Sequence, residues 1–536
     1  MPGLRHYYLL APIAAKGSKI ATFTYHSSQE LAVGSLVKAT LRGQPGTAVV
    51  MRVETKPRFA TKPIDQILPL PPLPTQLVQL AGWLADYYVA PLGRVWQTLL
   101  PPSIYSQRGT PTPRAEKSAP LPGKVKLTPA QVQAVAAITG GGSHLPYLLY
   151  GVTGSGKTQV YIELAKQHLK AGRSSIVMVP EIALTPQLTQ MLAAEFGNRV
   201  ILTHSGLTPA ARRQVWQTAL TTREPLVVVG PRSALFLPLK QIGLIVIDEA
   251  HDSSYKQDQS PRYHALATAD QLAKLHHAQL VLGTATPAVT HLWLAEQDKL
   301  QLIELAEPIF KTQRQPTIVV DLKDKGQLGE SWLISRPLLT QLQSTIKRRK
   351  QSLLFLNRRG SARAILCKKC GWLAECPNCQ IPLTWHADRG RLICHWCGYQ
   401  GSAPAACPSC GNLEVSFIGS GTQKLEAELT KLLPDARLAR LDRDSFDART
   451  INQLYQDLAK GKIDILVGTQ MITKGLDLPG VETIGIILAD TMLYLPDYTA
   501  TERTFQLLHQ VAGRAGRRDN SVSNLVIQTY SPEHPV

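Results

Sequence analysis

The 536-residue sequence predicts an α/β fold with two lobes, each built on a parallel β-sheet. A cysteine-rich insert interrupts the second lobe, and a mostly-β domain precedes the first. Three observations carry this prediction. From residue 125 onward, short and wholly apolar runs recur between helical stretches, as parallel strands covered on both faces require. All eight cysteines fall between Cys367 and Cys410, as four C-x-x-C pairs. The first hundred residues instead combine β-type segments with turn-forming Gly and Pro.

At the N-terminus, Arg5 and His6 precede the apolar stretch YYLLAPIAA. Pro12 breaks that run and no strong basic region precedes it, so it reads as a first strand rather than a secretory signal. SLVKATL and TAVVMRVE read as strands, and TQLVQLAGWLADYYVA as a helix with apolar spacing of three to four. Together they make an N-terminal domain over 1–100. Residues 101–124, rich in Pro, Ser, Gly and Lys, read as a flexible linker. The runs PYLLYGV, SSIVMVP, PLVVVG, LIVIDEA and AQLVLGTA define the first lobe over 125–300. QSLLFLN, IDILVG and VETIGIIL define the second, over 301–365 and 413–536, with the insert at 366–412.

Hydrophobic residues make up 44% of the chain and charged ones 18%, which excludes a disordered protein. No stretch approaches the ~20 apolar residues of a membrane span. The formal net charge of +19 favours a polyanionic partner, most simply nucleic acid, although a basic surface without a specific partner has the same composition. Clustering into x₂ pairs favours zinc in a reducing cytosol over disulfides. Two C-x-x-C pairs complete a tetrahedral Cys₄ site, so four pairs predict two Zn²⁺. Spacing alone permits three ways of combining them.

Gly151-Val-Thr-Gly154-Ser-Gly156-Lys157-Thr158 satisfies G-x-x-x-x-G-K-[ST] between an apolar strand and a helix. Such glycines let backbone amides wrap phosphates at a helix N-terminus. Lys157 is suited to the β- and γ-phosphates of ATP, and the Thr158 hydroxyl to Mg²⁺. LIVIDEAH ends a buried strand with Asp248 and Glu249, which suit Mg²⁺ binding and activation of the attacking water. His251 either senses the γ-phosphate or satisfies a local hydrogen bond. Upstream, Gln131 of LTPAQ can read the adenine edge through its amide pair. In the second lobe, Gln510-Val-Ala-Gly-Arg514-Ala-Gly-Arg517 offers arginines that suit transition-state charge. The loops carrying Thr284 and Thr286, and Thr469 and Lys474, each follow a strand and suit coupling of the nucleotide to nucleic acid.

These residues resemble superfamily 2 helicases and, within them, the PriA (primosomal protein N′) family. GVTGSGKTQVY, VMVPEIALTPQ, HSGL, RSALFLPL, LIVIDEAHDSSYKQD, LFLNRRG, the paired cysteines, GTQMITKG and QVAGRAGR occur in that family's order. The resemblance implies RecA-like lobes and a cytoplasmic, ATP-dependent 3′-to-5′ DNA helicase that binds forked and single-stranded DNA in replication restart. A fork-binding recruitment module using ATP as a switch is the alternative. Implied partners are single-stranded DNA-binding protein and helicase-loading primosome proteins. The resemblance also implies nested zinc sites: Cys367, Cys370, Cys407 and Cys410 for one ion, and Cys376, Cys379, Cys394 and Cys397 for the other. His386 and His395 are then bystanders. The segment from Asp252 to His264 resembles an aromatic-rich loop, in which Tyr255, Lys256, Arg262 and Tyr263 suit base stacking and phosphate contact.

Three departures stand out. Residues 101–124 occupy the place of a winged-helix domain and are too few to form one. Relatives continue with a C-terminal domain beyond the position of Val536. The 3′-end pocket expected around Phe23, Tyr25, Gly43 and Lys62 carries Thr24 where the family has an acidic residue, which predicts weaker discrimination for a free 3′-hydroxyl.

Overall fold

The computed structural model describes residues 5–13, 22–41, 43–102, 104, 126–141, 145–180, 186–309, 313–356, 364–367, 369–386, 388–413, 415–418, 421–441, 448–473, 480–493, 497–514 and 522–536. Two compact units emerge. One comprises residues up to Val152 and Gly156–Ala306; the other contains the chain from Glu307.

The first unit opens with a six-stranded sheet: β1 (His6–Pro12), β2 (Phe23–Ser27), β3 (Leu36–Leu41), β4 (Gln44–Glu54), β5 (Lys62–Pro63) and β6 (Gln66–Ile67). Its order is β5-β2-β1-β4-β3-β6. Because β5 and β6 are adjacent in sequence yet lie on opposite edges, residues 62–67 draw those edges together. Tyr25 reinforces the closure, its buried hydroxyl donating to the Thr40 carbonyl at 2.7 Å. Tyr25 therefore belongs to the core of this domain and not to a ligand pocket, correcting the expectation for it. Helices α1 (Thr75–Tyr87) and α2 (Leu92–Leu99) follow. They bridge the β domain and the first lobe: α2 contacts β1, α1 packs on a helix of the first lobe, and fully buried Trp96 lies in a core that Ala11, Leu36 and Val49 share with that lobe.

The first lobe runs α3 (Pro129–Gly140), β7 (Tyr147–Gly151), α4 (Lys157–Lys170), β8 (Ser174–Met178), α5 (Pro186–Phe196), β9 (Val200–Leu202), α6 (Pro209–Thr221), β10 (Val227–Gly230), β11 (Ile242–Ile247), α7 (Ala265–His276), β12 (Gln279–Thr284), α8 (Val289–Glu296) and β13 (Gln301–Leu305). All its strand pairs are parallel, in the order β13-β7-β12-β11-β8-β10-β9. The period-2 alternation of strands divides the apolar runs between two faces. Leu148, Ile176, Val228, Ile245 and Leu282 share a core with α1, α2 and α7, whereas Leu149, Val177, Val229, Val246 and Val281 share one with α3 and α4. β13 pairs with β7, so the first lobe extends beyond the expected boundary at residue 300. Sequence cannot separate an edge strand of one sheet from the opening strand of the next.

The second unit contains β14 (Gln313–Arg314), β15 (Ile318–Asp321), α9 (Arg336–Lys347), β16 (Gln351–Phe355), β17 (Ala364–Cys367), β18 (Thr384–His386), β19 (Arg391–Ile393), β20 (Gln400–Gly401), β21 (Val415–Ile418), α10 (Thr422–Leu432), β22 (Leu438–Leu441), α11 (Ala448–Ala459), β23 (Ile465–Gly468), β24 (Val481–Ile486), α12 (Asp490–Leu493), α13 (Ala500–Ala512) and β25 (Val522–Thr529). Its parallel sheet has the order β14-β25-β24-β16-β23-β22, with β15 also on β25. The insert leaves this lobe through an antiparallel ribbon of β17 and β21 and contains a small sheet of β18, β19 and β20. A core of Ile365, Ala374, Leu383 and Leu392 gathers around Cys376 and Cys394. Most of the linker expected at 101–124 lies outside the described residues. Among the described residues, no helix is long and apolar enough to cross a membrane.

Candidate nucleotide site and cysteine clusters

The glycine-rich turn joins the C-terminal end of β7 to the N-terminus of α4. Gly154 and Gly156 adopt φ of +84° and +77°, a region costly for residues with a Cβ, which is why the turn needs glycine there. α4 then presents its unpaired N-terminal amides and positive dipole end to the turn. Lys157 Nζ donates to the Gly151 carbonyl at 2.7 Å, holding the ammonium over the loop. Thr158 occupies the same first turn of α4.

Gln131 is placed differently from the expectation. Its Oε1 accepts the Thr128 amide at 2.9 Å, and its own amide donates to Thr128 Oγ1, forming a capping box at α3. Nε2 reaches the Gly156 carbonyl at 3.4 Å. The side chain is buried and braces the glycine-rich turn, so its amide is engaged within the fold. Local capping took precedence because a helix N-terminus needs acceptors for its free amides.

Asp248 follows β11 directly, and its carboxylate accepts the Tyr161 hydroxyl at 3.0 Å. Tyr161 reaches it from α4 only because position 283 is glycine: a Cβ there would lie 1.7 Å from the hydroxyl oxygen. Burial, then the neighbouring Glu249 charge, raise the Asp248 pKa to about 6, partly offset by Lys157. If this carboxylate holds Mg²⁺, proton and metal would compete for it, because only the ionised form is a ligand. Apparent Mg²⁺ affinity should be level at neutral pH and fall about tenfold per unit below pH 6. Mg²⁺ titrations of ATP turnover from pH 5 to 8 test this, and a pH-independent affinity would contradict it. Glu249 adopts φ +48°, a left-handed conformation uncommon for a non-glycine residue and of the kind stored at functional sites.

His251 Nδ1 lies 2.8 Å from Thr284 Oγ1 and 3.5 Å from Thr286 Oγ1. Thr284 Oγ1 in turn accepts the Thr286 amide at 3.0 Å. His251 thus makes the local hydrogen bonds that tie the strand end carrying the carboxylates to the threonine loop. In the second lobe, Gln510 lies on α13, Arg514 follows that helix, and Thr469 follows β23; all three are buried. Arg517 and Lys474 lie outside the described residues.

Tyr255 and Tyr263 depart most from the sequence reading. Both are buried, Tyr255 donating to the Asp248 carbonyl at 2.6 Å and Tyr263 packing edge-on against Phe236. Neither ring is exposed for stacking. An alternation of aromatic and basic residues looks the same whether rings face solvent or core, and here the core claims them. Lys256 and Arg262 remain exposed, and Arg232 of the RSALF segment donates to the Ser254 and Lys256 carbonyls. Sequence reasoning missed Tyr161, hidden in the apolar face of α4, and Arg232, hidden in a run noted only for its resemblance.

The cysteines assemble as two groups, Cys367, Cys370, Cys407 and Cys410, and Cys376, Cys379, Cys394 and Cys397. The sulfurs of Cys367 and Cys410 are 3.7 Å apart, those of Cys370 and Cys407 3.6 Å, and those of Cys376 and Cys397 3.6 Å. Tetrahedral Zn–S bonds of about 2.3 Å require S···S separations of about 3.8 Å, so both groups fit. Each pair also ends in the same turn. The amide after the second cysteine donates to the carbonyl of the first, from residues with positive φ: Gly371, Gln380, Gly398 and Gly411. Amides of Lys369 and Cys370 point at Cys367, whose thiol pKa falls to about 6 against its burial, whereas at Cys376 burial outweighs the amides of Cys379 and Asn378 and the pKa is raised. This is the nested arrangement. His386 and His395 contact each other at 3.1 Å, outside both clusters.

A glycine-rich turn and a carboxylate pair at the strand ends of one parallel sheet, with a second parallel lobe, fit the two-lobed helicase fold. Family models agree: a DEAD/DEAH box helicase model matches 128–292 and a helicase conserved C-terminal domain matches 415–519. A 3′ DNA-binding domain model of PriA matches 13–101, and the PriA Cys-rich region model matches 376–401. The chain is 35% identical over 532 residues to the replication restart protein PriA of Rickettsia felis, covering 98% of this chain and 81% of that one. Those of Bacillus subtilis and Synechocystis sp. are 41% and 42% identical, covering 78% and 77% of this chain. The chain belongs to the PriA family of replication restart proteins. It spans about half the length of the last two relatives, 52% and 50% respectively.

Proposed function

We propose that this chain is an ATP-dependent DNA helicase that unwinds 3′-to-5′ and recognises branched or stalled forks in replication restart. One observation carries the reading furthest. Lys157, Asp248 and Glu249 gather at the C-terminal ends of parallel strands in a chain matched along 98% of its length by a replication restart protein. In this reading Lys157 and the amides of the 151–156 turn hold the phosphates. Thr158 and Asp248 hold Mg²⁺, which neutralises charge on the phosphate oxygens. Glu249 orients the attacking water, and Arg514 and Arg517, with Gln510, serve the γ-phosphate from the second lobe. Thr284, Thr286, Thr469 and Lys474 relay the nucleotide state to DNA. The two cysteine clusters hold structural zinc. Single-stranded DNA-binding protein and helicase-loading primosome proteins are the proposed partners, in the cytoplasm. The experiment is ATP turnover with DNA or RNA: stimulation by RNA exceeding that by DNA would overturn the substrate assignment.

The N-terminal domain adds a second expectation. Phe23 and Thr24 are half-buried on β2, Lys62 is exposed on β5 beside it, and Gly43 leaves open space at the β3–β4 turn. Thr24 offers a neutral hydroxyl where the family has a carboxylate. Forks with and without a 3′-hydroxyl on the leading strand should therefore differ in affinity by no more than about five-fold, the effect of one neutral hydrogen bond. Thr24→Asp should raise that ratio above about tenfold. Fluorescence anisotropy on the two forks decides it, and a strong hydroxyl preference in the unaltered chain would sink the idea.

A further inference from the structure

We infer that Tyr88, at the end of α1, is a positioning residue for ATP hydrolysis, acting on Asp248 through the 252–264 loop; the inference rests on the ATPase reading above. The contacts are continuous. Tyr88 Oη accepts the His264 amide at 2.9 Å, and Lys256 Nζ lies 5.5 Å from the centre of the Tyr88 ring. Lys256 and His264 pair as an antiparallel bridge, closed further by the Gln257 amide donating to the Tyr263 carbonyl at 2.9 Å and by Lys256 Nζ donating to the Arg262 carbonyl. Tyr88 thus grips both partners of the bridge that shapes the loop. Next to that bridge, Tyr255 donates to the Asp248 carbonyl at 2.6 Å. The link from α1 to the carboxylate strand end consists of three side chains and one bridge.

Two features support a positioning role over incidental packing. The residue after Tyr88 is Val89, at φ +48° and 91% exposed. A β-branched residue is strongly disfavoured there, where helices ordinarily end in glycine. The exposed valine gains no burial, yet its conformation turns the chain at the point that sets Tyr88 against the loop. The loop is also held from its other side, where Arg232 donates to the carbonyls of Ser254 and Lys256. Held on both sides, the loop transmits displacement of α1 to Tyr255 instead of absorbing it. Because α1 follows the N-terminal β domain directly, occupancy of that domain by DNA has a short physical route to the ATP site.

The test is a double-mutant cycle on the full chain, Tyr88→Phe with Tyr255→Phe, reading kcat and KM for ATP with a single-stranded oligonucleotide present. Each single variant should lower kcat about five-fold, one hydrogen bond's worth, with KM for ATP unchanged. The double variant should be no slower than the slower single one. Multiplicative loss, or a Tyr88→Phe variant equal to wild type while Tyr255→Phe is impaired, overturns the inference. A second readout keeps it separate from the ATPase reading. In hydrogen exchange, Mg²⁺–ADP should protect peptides covering 252–264 and 84–90 in the wild type, and only the former in Tyr88→Phe. Protection that never reaches 84–90 in a wild type that turns over ATP contradicts Tyr88 coupling alone. A wild type without turnover contradicts the proposed function instead.

Discussion

Lys157→Ala should lower ATP turnover about 10²–10³-fold, the cost of removing one pre-aimed charge from a developing anion. The ammonium sits at the junction of β7 and α4, where backbone amides and the helix dipole already favour phosphate, so its removal deletes the mobile positive charge and leaves the cradle. The fold should persist. Lys157 lies at the first position of α4, where alanine is a good helix former. Lys157→Arg should not rescue, because a planar guanidinium cannot replace a compact ammonium inside a turn closed by Gly154 and Gly156. Turnover at the wild-type rate in Lys157→Ala would remove the nucleotide site from this turn.

Loss of metal from the insert should have the second large effect. Structural zinc contributes folding free energy of about 10–16 kcal/mol in small domains, far more than the insert's few apolar side chains supply. Cys376 and Cys394 lie at the centre of that small core, so Cys376→Ser should cut zinc from two ions per chain to one and expose the amides of 376–401 to exchange. Cys407→Ser acts at the other cluster, whose Cys367 ends β17, and should also loosen the β17–β21 neck. ATP turnover should survive both changes, since Lys157, Asp248 and Glu249 belong to the first lobe and Gln510 and Arg514 to α13 and its end, none of them in the insert. Fork binding or partner loading should fall, separating the insert's role from the motor's. Metal analysis with exchange mass spectrometry reads this directly; one zinc or none in the wild type would break the two-site assignment.

The two parallel sheets were legible because buried strands are apolar on both faces, and PYLLYGV and LIVIDEA read the same in sequence and structure. The cysteine clusters were legible by type and number. Their pairing was not legible from spacing, which permits three combinations; the family resemblance implied nesting, and the geometry agrees. Gln131, Tyr25, Tyr255 and Tyr263 were misread for a shared reason. Gln131, Tyr25 and Tyr255 each have a polar tip whose partner lies in the fold, Thr128 and Gly156, Thr40, or Asp248, and the Tyr263 ring packs on Phe236. The boundary at residue 300 failed because β13 joins its sheet at an edge that local pattern cannot see. The bridging of the β domain and the first lobe by α1 and α2 was equally hidden, since an amphipathic helix declares an apolar face without naming what covers it.

The central claim is that the assembled nucleotide site drives strand separation. Mixing the wild-type chain with forked DNA labelled on both strands, with ATP and Mg²⁺, measures it directly. The predicted result is ATP-dependent strand separation that starts from a 3′ single-stranded tail and is abolished in Lys157→Ala. DNA-stimulated ATP turnover with no strand separation would contradict it.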